Sequence, residues 1–323
     1  MRRVAKLVRA RKPAAHVLPA LAVALACAGA ATPARAYFEE TAVGARVLAL
    51  GFSALADAHD VSAYYWNPAG LARLRGTELL LDLAKPYGIS ELNEGTIAVG
   101  TQRFGTGWAL AWHHLGITNA YGEELFSLGA GRPLMTFPGG HGLSGGATFK
   151  YGRIGFVPFD DPVDGFPVDY GHQAKGSLDA AITWSTPWRV DVSWVARDLL
   201  QPRYQFVEGT GGDRLVTRQQ LAGAFRWNRE STVTASWSQV DGGPISFNAG
   251  MEVTFYDVFA IRSGLTNLAV IYASTGSPND FQYTGGFGVY HKGYFIDAAA
   301  FTNRDLGASY RMTLRFPVFG GSR

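Results

Sequence analysis

Apolar and polar residues alternate one by one along most of the chain after residue 76. In residues 244–257, for example, Phe247 and Met251 fall on one face, and Asn248 and Glu252 fall on the other. A period of two predicts β-strands with one apolar and one polar face. The pattern predicts about fourteen strands, near residues 77–85, 94–104, 107–116, 122–132, 142–153, 175–185, 188–198, 214–227, 231–240, 244–256, 258–265, 281–291, 294–302 and 307–319.

The connections between these strands fall into two classes. Most even-numbered strands lead into turns of a few residues, the longest being a Pro/Gly turn at 133–141, whereas odd-numbered strands lead into the long loops 154–174, 199–213 and 266–280. Short turns on one rim and long loops on the other are typical of an outer-membrane β-barrel whose short turns face the periplasm. The pattern therefore predicts an all-β fold, a transmembrane antiparallel β-barrel of about 14 strands. Because soluble antiparallel sheets also alternate, a soluble periplasmic β protein stays an alternative.

Aromatic and charged residues agree with the barrel. The aromatic residues beside the short turns are predicted to lie at the level of the lipid headgroups: Trp184, Trp188, Trp227, Phe255, Phe259, Tyr290 and Tyr294. A charge facing lipid near the midplane costs about 2–4 kcal/mol, so charged residues on the polar faces are predicted to line the lumen. These are Asp179, Arg189, Asp191, Arg197, Arg226, Glu252, Arg262, Asp297, Arg311 and Arg315.

The start of the chain predicts export. Residues 1–16 are basic, residues 17–31 are apolar, and Ala34-Arg35-Ala36 offers a cleavage site before Tyr37, as in a secretory signal peptide. The apolar run is shorter than the roughly 20 residues of a membrane-spanning helix. Cys27, the only cysteine, lies in this segment and leaves a lipoprotein as a minor alternative. We therefore expect export through the inner membrane of a Gram-negative bacterium and a mature chain of residues 37–323.

Composition adds one exclusion. The formal net charge is +3, but residues 1–36 hold seven of the 29 basic residues and no acidic one, so the remainder carries 22 basic against 26 acidic residues. The positive charge therefore belongs to the predicted signal peptide, and we expect no nucleic-acid partner.

Residues 44–74 break the alternation. They read GARVLALGFSALADAHDVSAYYWNPAGLARL, which is rich in alanine and ends near Trp66-Asn67-Pro68-Ala69-Gly70. Proline lacks an N–H and keeps the preceding residue out of the helical region, so a short helix over 61–66, capped by Asp60, is predicted to end there.

This segment resembles the N-terminal region of the FadL-like outer-membrane transport proteins, and more closely that of the PorV/PorQ family. The C-terminal stretch 301–316 is similar to the final hairpin of the same group. In these families the N-terminal segment folds into the barrel as a hatch. The resemblance implies the hatch residues Asp57, Asp60, Trp66, Asn67, Pro68, Ala69 and Gly70, and the segments 1–36 (signal peptide), 37–76 (N-terminal extension and hatch), 77–319 (barrel) and 320–323 (tail).

The resemblance implies passive transport of small hydrophobic, fatty-acid-like molecules across the outer membrane. The alternative is a PorV-like component of a protein secretion or surface-attachment system. The expected partners are outer-membrane lipid, the barrel-assembly machinery, which would read the terminal strand, and either a hydrophobic small molecule or secretion-system proteins. Apolar residues in two long loops either bind such a ligand or pack together and close the barrel mouth: Phe156, Phe159, Leu268, Val270, Ile271 and Tyr272.

No catalytic or metal-binding motif fits its surroundings. Residues 142–146 match G-x-S-x-G beside His141, but they begin a predicted strand, whereas a nucleophile elbow needs a strand, a turn and a helix. His113 and His114 are neighbours on a strand and point to opposite faces, so they cannot bind one metal ion. The acidic residues of loop 154–174 lack the spacing of an EF-hand and are predicted to be solvated. We therefore expect no enzyme, no cofactor and no metal site.

Overall fold

The computed structural model describes residues 43–161, 165–207, 212–240, 245–267, 281–303 and 307–319. The predicted signal peptide, residues 37–42 and the tail lie outside these ranges, as do the loop residues Leu268, Val270, Ile271 and Tyr272. Within the described ranges, no helix has both the length and the apolar character needed to cross a membrane.

Fourteen antiparallel strands form a closed barrel, so the predicted fold class is confirmed. Each strand pairs with its neighbours in chain order, and the first pairs with the last, with Leu81 opposite Leu314. Two small hairpins, β6–β7 (Phe159–Asp160 and Pro167–Val168) and β10–β11 (Arg203–Tyr204 and Asp213–Arg214), stand in long loops. The barrel strands are β1 (Thr77–Lys85), β2 (Leu92–Arg103), β3 (Thr106–Ile117), β4 (Tyr121–Phe137), β5 (His141–Phe156), β8 (His172–Ser185), β9 (Val190–Arg197), β12 (Arg218–Arg226), β13 (Ser231–Val240), β14 (Ile245–Phe255), β15 (Phe259–Thr266), β16 (Gln282–His291), β17 (Tyr294–Asn303) and β18 (Gly307–Phe319).

The alternating pattern places apolar side chains on the outside of the barrel and polar ones inside. In β14, Phe247 and Met251 are 53% and 51% exposed, whereas Ser246 and Asn248 are buried. A soluble sheet that closes on itself buries its apolar side chains within. This barrel does the reverse, because its apolar face is the outer one.

One end of the barrel, which we call the turn rim, joins β2–β3, β4–β5, β8–β9, β12–β13, β14–β15 and β16–β17 by turns of two to four residues. In the β2–β3 and β16–β17 turns both central residues have positive φ, Phe104-Gly105 and Lys292-Gly293. This is the geometry of two-residue hairpin turns. The opposite end, the loop rim, carries the longer connections 157–171, 198–217 and 267–281.

Two sequence expectations at the turn rim are wrong. Residues 133–141 are not simply a turn, because β4 continues to Phe137 and β5 begins at His141. Tyr290 points into the lumen, where its hydroxyl oxygen accepts a hydrogen bond from Arg262. The other aromatic residues predicted there are exposed at this rim: Trp184, Trp188, Trp227, Phe255, Phe259 and Tyr294.

Candidate functional site: the hatch in the barrel lumen

Residues 43–74, the hatch, lie inside the barrel. They form four short turns of helix: α1 (Ala45–Ala49), the 3-10 turn Ala54–Asp57, α2 (Ala63–Trp66) and the 3-10 turn Pro68–Arg73. Nearly all of their side chains are buried against the wall or one another. Trp66 is 1% exposed, and its indole Nε1 donates to the carbonyl oxygen of Val43 at 2.6 Å. The hatch therefore fills the lumen as a packed unit.

Two hatch residues expected from the sequence shape its chain path. The prediction that Asp60 caps a helix over 61–66 is wrong, because the helix begins at Ala63 with Ser62 at its N-cap. The Asp60 carboxylate instead accepts from the backbone N–H of Ser62 at 2.9 Å in the turn before α2. Asn67 has an extended backbone and precedes Pro68, which ends α2. Its side-chain oxygen accepts from the N–H of Ala69 at 3.2 Å and so starts the next turn.

Asn67 also fixes the hatch to the barrel wall. Its side-chain nitrogen lies 3.0 Å from the hydroxyl of Thr183 on β8 and 3.1 Å from that of Ser193 on β9. The same nitrogen lies 2.9 Å from the carbonyl oxygen of Leu55 within the hatch. Asn67 is fully buried, so an apolar residue there would leave several buried polar groups unpaired.

A cluster of buried ion pairs joins the hatch to β12 and β14. Arg46 of the hatch contacts Glu252 at 2.9 Å and the hatch residue Asp57 at 2.5 Å. The other carboxylate oxygen of Asp57 lies 2.5 Å from the guanidinium of Arg226 on the wall. Burial opposes ionisation of Asp57, but the positive charges of Arg46, His59 and Arg226 together outweigh it and lower the pKa of the carboxyl. Asp57 therefore stays charged and holds two arginines from opposite sides.

Two more ion pairs hold the hatch at other points of the wall. Arg73 contacts Asp191 of β9 at 2.6 Å, and Asp60 contacts Arg315 of β18 at 3.2 Å. Burial opposes ionisation of Asp60 as well, but Arg315, His59 and the hydrogen bond from Ser62 together outweigh it and lower the pKa of Asp60 to about 2. The hatch is thus tied electrostatically on several sides of the barrel. Sequence reasoning did not identify Arg46 and Arg73, because a lone arginine in an alanine-rich segment does not reveal a partner far along the chain.

Glycines in the wall let the hatch backbone approach closely. A Cβ atom at Gly131 or Gly146 would lie inside van der Waals contact of the Pro68 backbone, and one at Gly264 would meet the backbone at Leu50 and Gly51. The wall is therefore shaped to the hatch. The high glycine content was visible in the sequence, but its distribution over the lumen face was not.

The remaining charges on the wall pair with one another. Arg262 contacts Asp297 at 2.7 Å, and Arg311 contacts Glu94 at 2.5 Å as well as Asp82. The lumen positions expected from the sequence are thus found, with one exception. Arg189 lies exposed in the β8–β9 turn with φ 64°, where its guanidinium donates to the Trp227 carbonyl oxygen at 3.4 Å. The other nine lie inside the barrel: Asp179, Asp191, Arg197, Arg226, Glu252, Arg262, Asp297, Arg311 and Arg315.

A small chamber remains between the hatch and the loop rim. Its floor is Tyr65, over whose ring the Arg197 guanidinium stacks at 4.3 Å, and its wall includes Lys150. Asp198, Pro202, Tyr204 and Leu215 also line it, and the Tyr204 hydroxyl donates to the Gly152 carbonyl oxygen at 3.0 Å. The chamber volume is about 30 Å³. This is room for one or two water molecules and too little for an aromatic ring.

The apolar loop residues that the structure describes pack together above this chamber. Phe156 lies with its ring centre 5.0 Å from that of Tyr121 and 4.9 Å from that of Phe206. Phe159 lies 6.2 Å from Tyr170 and stays 47% exposed. These residues therefore pack on one another and still leave an aromatic surface open to solvent.

Solved structures with this fold are known, although neither protein-family models nor curated protein sequences give a match. The toluene transporter TodX of Pseudomonas putida superposes with a TM-score of 0.57 at 11% identity, over 86% of this chain and 97% of that one. The toluene transporter TbuX of Ralstonia pickettii gives 0.51 at 11% identity, over 84% and 96%. The monoaromatic hydrocarbon channel CymD gives 0.50 at 10% identity, over 79% and 91%. At these identities the likeness shows the fold, a 14-stranded barrel of the kind found in hydrocarbon channels.

Proposed function

We propose that the protein is an outer-membrane β-barrel that carries small hydrophobic molecules passively across the outer membrane, with the hatch as its gate. The observation that carries the proposal is the hatch itself, a separate segment seated in the lumen of a barrel whose outer face is apolar. The shared fold with the toluene transporters supports a hydrophobic substrate class, either aromatic hydrocarbons or fatty-acid-like molecules. The FadL-like character of residues 44–74 supports the same reading.

The proposed route has two stages. A hydrophobic molecule first meets the half-exposed aromatic surface of Phe159 and Tyr170 at the loop rim. The chamber beneath is too small to receive it while the hatch is seated. Passage therefore requires the hatch to shift, with its ion pairs at Asp57 and Asp60 opening on the way.

A disulfide between hatch and wall tests this gate. The hydroxyl oxygens of Ser53 in the hatch and Thr234 on β13 are 2.6 Å apart, so Ser53→Cys/Thr234→Cys brings two sulfurs within bonding reach. We expect liposomes that contain the oxidised barrel to take up no toluene or fatty acid. Reduction of the disulfide should restore uptake.

The matched control is Thr77→Cys/Thr101→Cys, whose hydroxyls are 2.8 Å apart and join β1 to β2 without touching the hatch. Its uptake should not depend on oxidation. Equal uptake by the oxidised and reduced Ser53→Cys/Thr234→Cys barrel would contradict gating by the hatch.

A second candidate function is a PorV-like role in protein secretion or surface attachment. The observation that favours it is the chamber, because its wall carries Lys150, Arg197 and Asp198 where a hydrophobic molecule would need apolar side chains. A barrel with this role needs no moving hatch. Deletion of the protein from its host should then abolish surface attachment of exported proteins, and the oxidised Ser53→Cys/Thr234→Cys barrel should restore it. Unchanged attachment after the deletion would argue against the role.

A further inference from the structure

The exposed charged side chains of the turn rim are mostly basic. In the described part of the turn rim, the exposed charged side chains are six basic ones and two acidic ones: Arg75, Arg103, Arg132, Arg189, Arg229 and Lys292 against Glu230 and Asp257. None of the six basic residues takes part in an ion pair there, whereas at the loop rim Arg153 pairs with Glu124 at 3.5 Å. The turn rim therefore presents a ring of unneutralised positive charge.

Two of these arginines point sideways from the barrel. Arg103 follows Val99 on the outward face of β2, and Arg132 follows Leu128 on the outward face of β4, with both apolar neighbours exposed. The intervening strand β3 places Trp108 on the same outer face, 43% exposed. Since strands are about 4.8 Å apart, the two arginines stand about 10 Å apart on either side of the first residues of β3.

This arrangement suits the phosphate of a lipid. A guanidinium binds phosphate through two parallel hydrogen bonds. Tryptophan is enriched at the headgroup level of membranes, and clustered basic residues bind anionic lipid. An acidic protein approaching from the aqueous side would meet the residues of the turns, whereas Arg103 and Arg132 face the space that lipid occupies.

We propose that the turn rim binds anionic phospholipid headgroups, with Arg103 and Arg132 contacting phosphate oxygens beside Trp108. The proposal rests on the proposed insertion into the outer membrane. It goes beyond that insertion, because it assigns the lipid class and the side chains that select it. The headgroups concerned are those of the leaflet that meets the short turns.

Native mass spectrometry of the barrel in neutral detergent tests the proposal, with phosphatidylglycerol as the anionic probe and phosphatidylcholine as the zwitterionic one. The wild type should retain phosphatidylglycerol in preference to phosphatidylcholine. Each basic residue near a charged surface contributes about fivefold in affinity, so Arg103→Gln/Arg132→Gln should bind phosphatidylglycerol about 25-fold more weakly.

The matched control is Lys85→Gln/Arg153→Gln, which removes two exposed basic side chains near the loop rim. It should keep the wild-type preference. Equal retention of both lipids by the wild type, or an equal loss in the control, would overturn the proposal. Failure of the proposed function is separable, because it would appear as wild-type barrels in phosphatidylcholine liposomes that transport no toluene or fatty acid, whatever their lipid preference.

Discussion

At the scale of single residues, the fit between hatch and wall depends on glycines with no room for a methyl group. A Cβ at position 146 would lie inside van der Waals contact of the Pro68 carbonyl carbon and oxygen. Gly146→Ala should therefore push the hatch away from β5 and destabilise its seating by about 1–3 kcal/mol, the usual range for overpacking. Limited proteolysis of the refolded barrel should then cut within residues 43–74 faster than in the wild type.

The control for this substitution is Gly223→Ala. Position 223 also lies within a barrel strand, but a Cβ there would have nothing within 4 Å. We expect wild-type proteolysis for it. If both variants were cut at the same rate, the avoidance of a clash with Pro68 would not be the reason for glycine at position 146.

The same scale shows what could be read from the sequence and what could not. The Asn67-Pro68 pair was recognisable because a proline constrains its own backbone and that of its predecessor, and both effects are local. Arg189 was misplaced because alternation cannot locate the first residue of a strand. Arg46 was not recognised because its wall partner, Glu252, lies 206 positions away.

At the scale of elements, the hatch consists of helical turns of four to six residues that would not persist alone. Isolated helices shorter than about 12 residues are marginal in water. The lumen wall therefore supplies the stability of these turns, through the apolar contacts of their buried side chains and through the ion pairs of Asp57 and Asp60. A change that neutralises those carboxylates should release the hatch and leave the strands in place.

Acid is such a change, and its direction follows from the pKa values. Those of Asp57 and Asp60 are lower in the seated hatch than in solvent, with Asp60 at about 2. The ion pairs thus stabilise the seated hatch fully above about pH 4, where a solvated carboxyl ionises, and lose this effect as the pH falls toward 2. Planar-bilayer recordings should show a closed barrel at pH 7 and pH 5, and openings below about pH 4.

The variant Asp57→Asn should show such openings already at pH 7. It leaves Arg46 with Glu252 and Arg226 with Asp191 as their remaining partners, and the lost charged hydrogen bonds should cost about 1.5–3 kcal/mol. Openings of the wild type at pH 6 would argue that groups other than these two carboxylates hold the hatch.

The strands were the most predictable elements, since alternation and short turns determine them locally. The β4–β5 hairpin was the exception, because proline and glycine at 133–140 indicated a turn. The structure accommodates Pro133 at a register shift between Pro133 and Met135. There β4 has run beyond the start of β3, whose pairing with it ends at Gly131. A proline is tolerated on such an unpaired edge, where no partner requires its N–H.

At the scale of the whole molecule, the barrel strands pair independently of the hatch. The fourteen strands pair with one another around a complete circle without help from the hatch. Deletion of residues 44–70 should therefore leave a folded barrel with heat-modifiable gel migration and a lumen that conducts ions at rest. Single-channel recording measures the conductance of this variant and of the closed wild type. A variant that folds but does not conduct would show that the loops alone close the mouth.

A hydrogen bond between Ala45 of the hatch and Thr313 of β18 has a consequence for the order of folding. The backbone N–H of Ala45 donates to the Thr313 hydroxyl across 268 positions of sequence, from the first described turn to the last strand. Contacts of such high sequence separation form late, because the intervening chain must be ordered first. The hatch lies before the first barrel strand in the sequence, yet it is consequently among the last segments to reach its final place, and until β18 is in position the wall that buries it is incomplete.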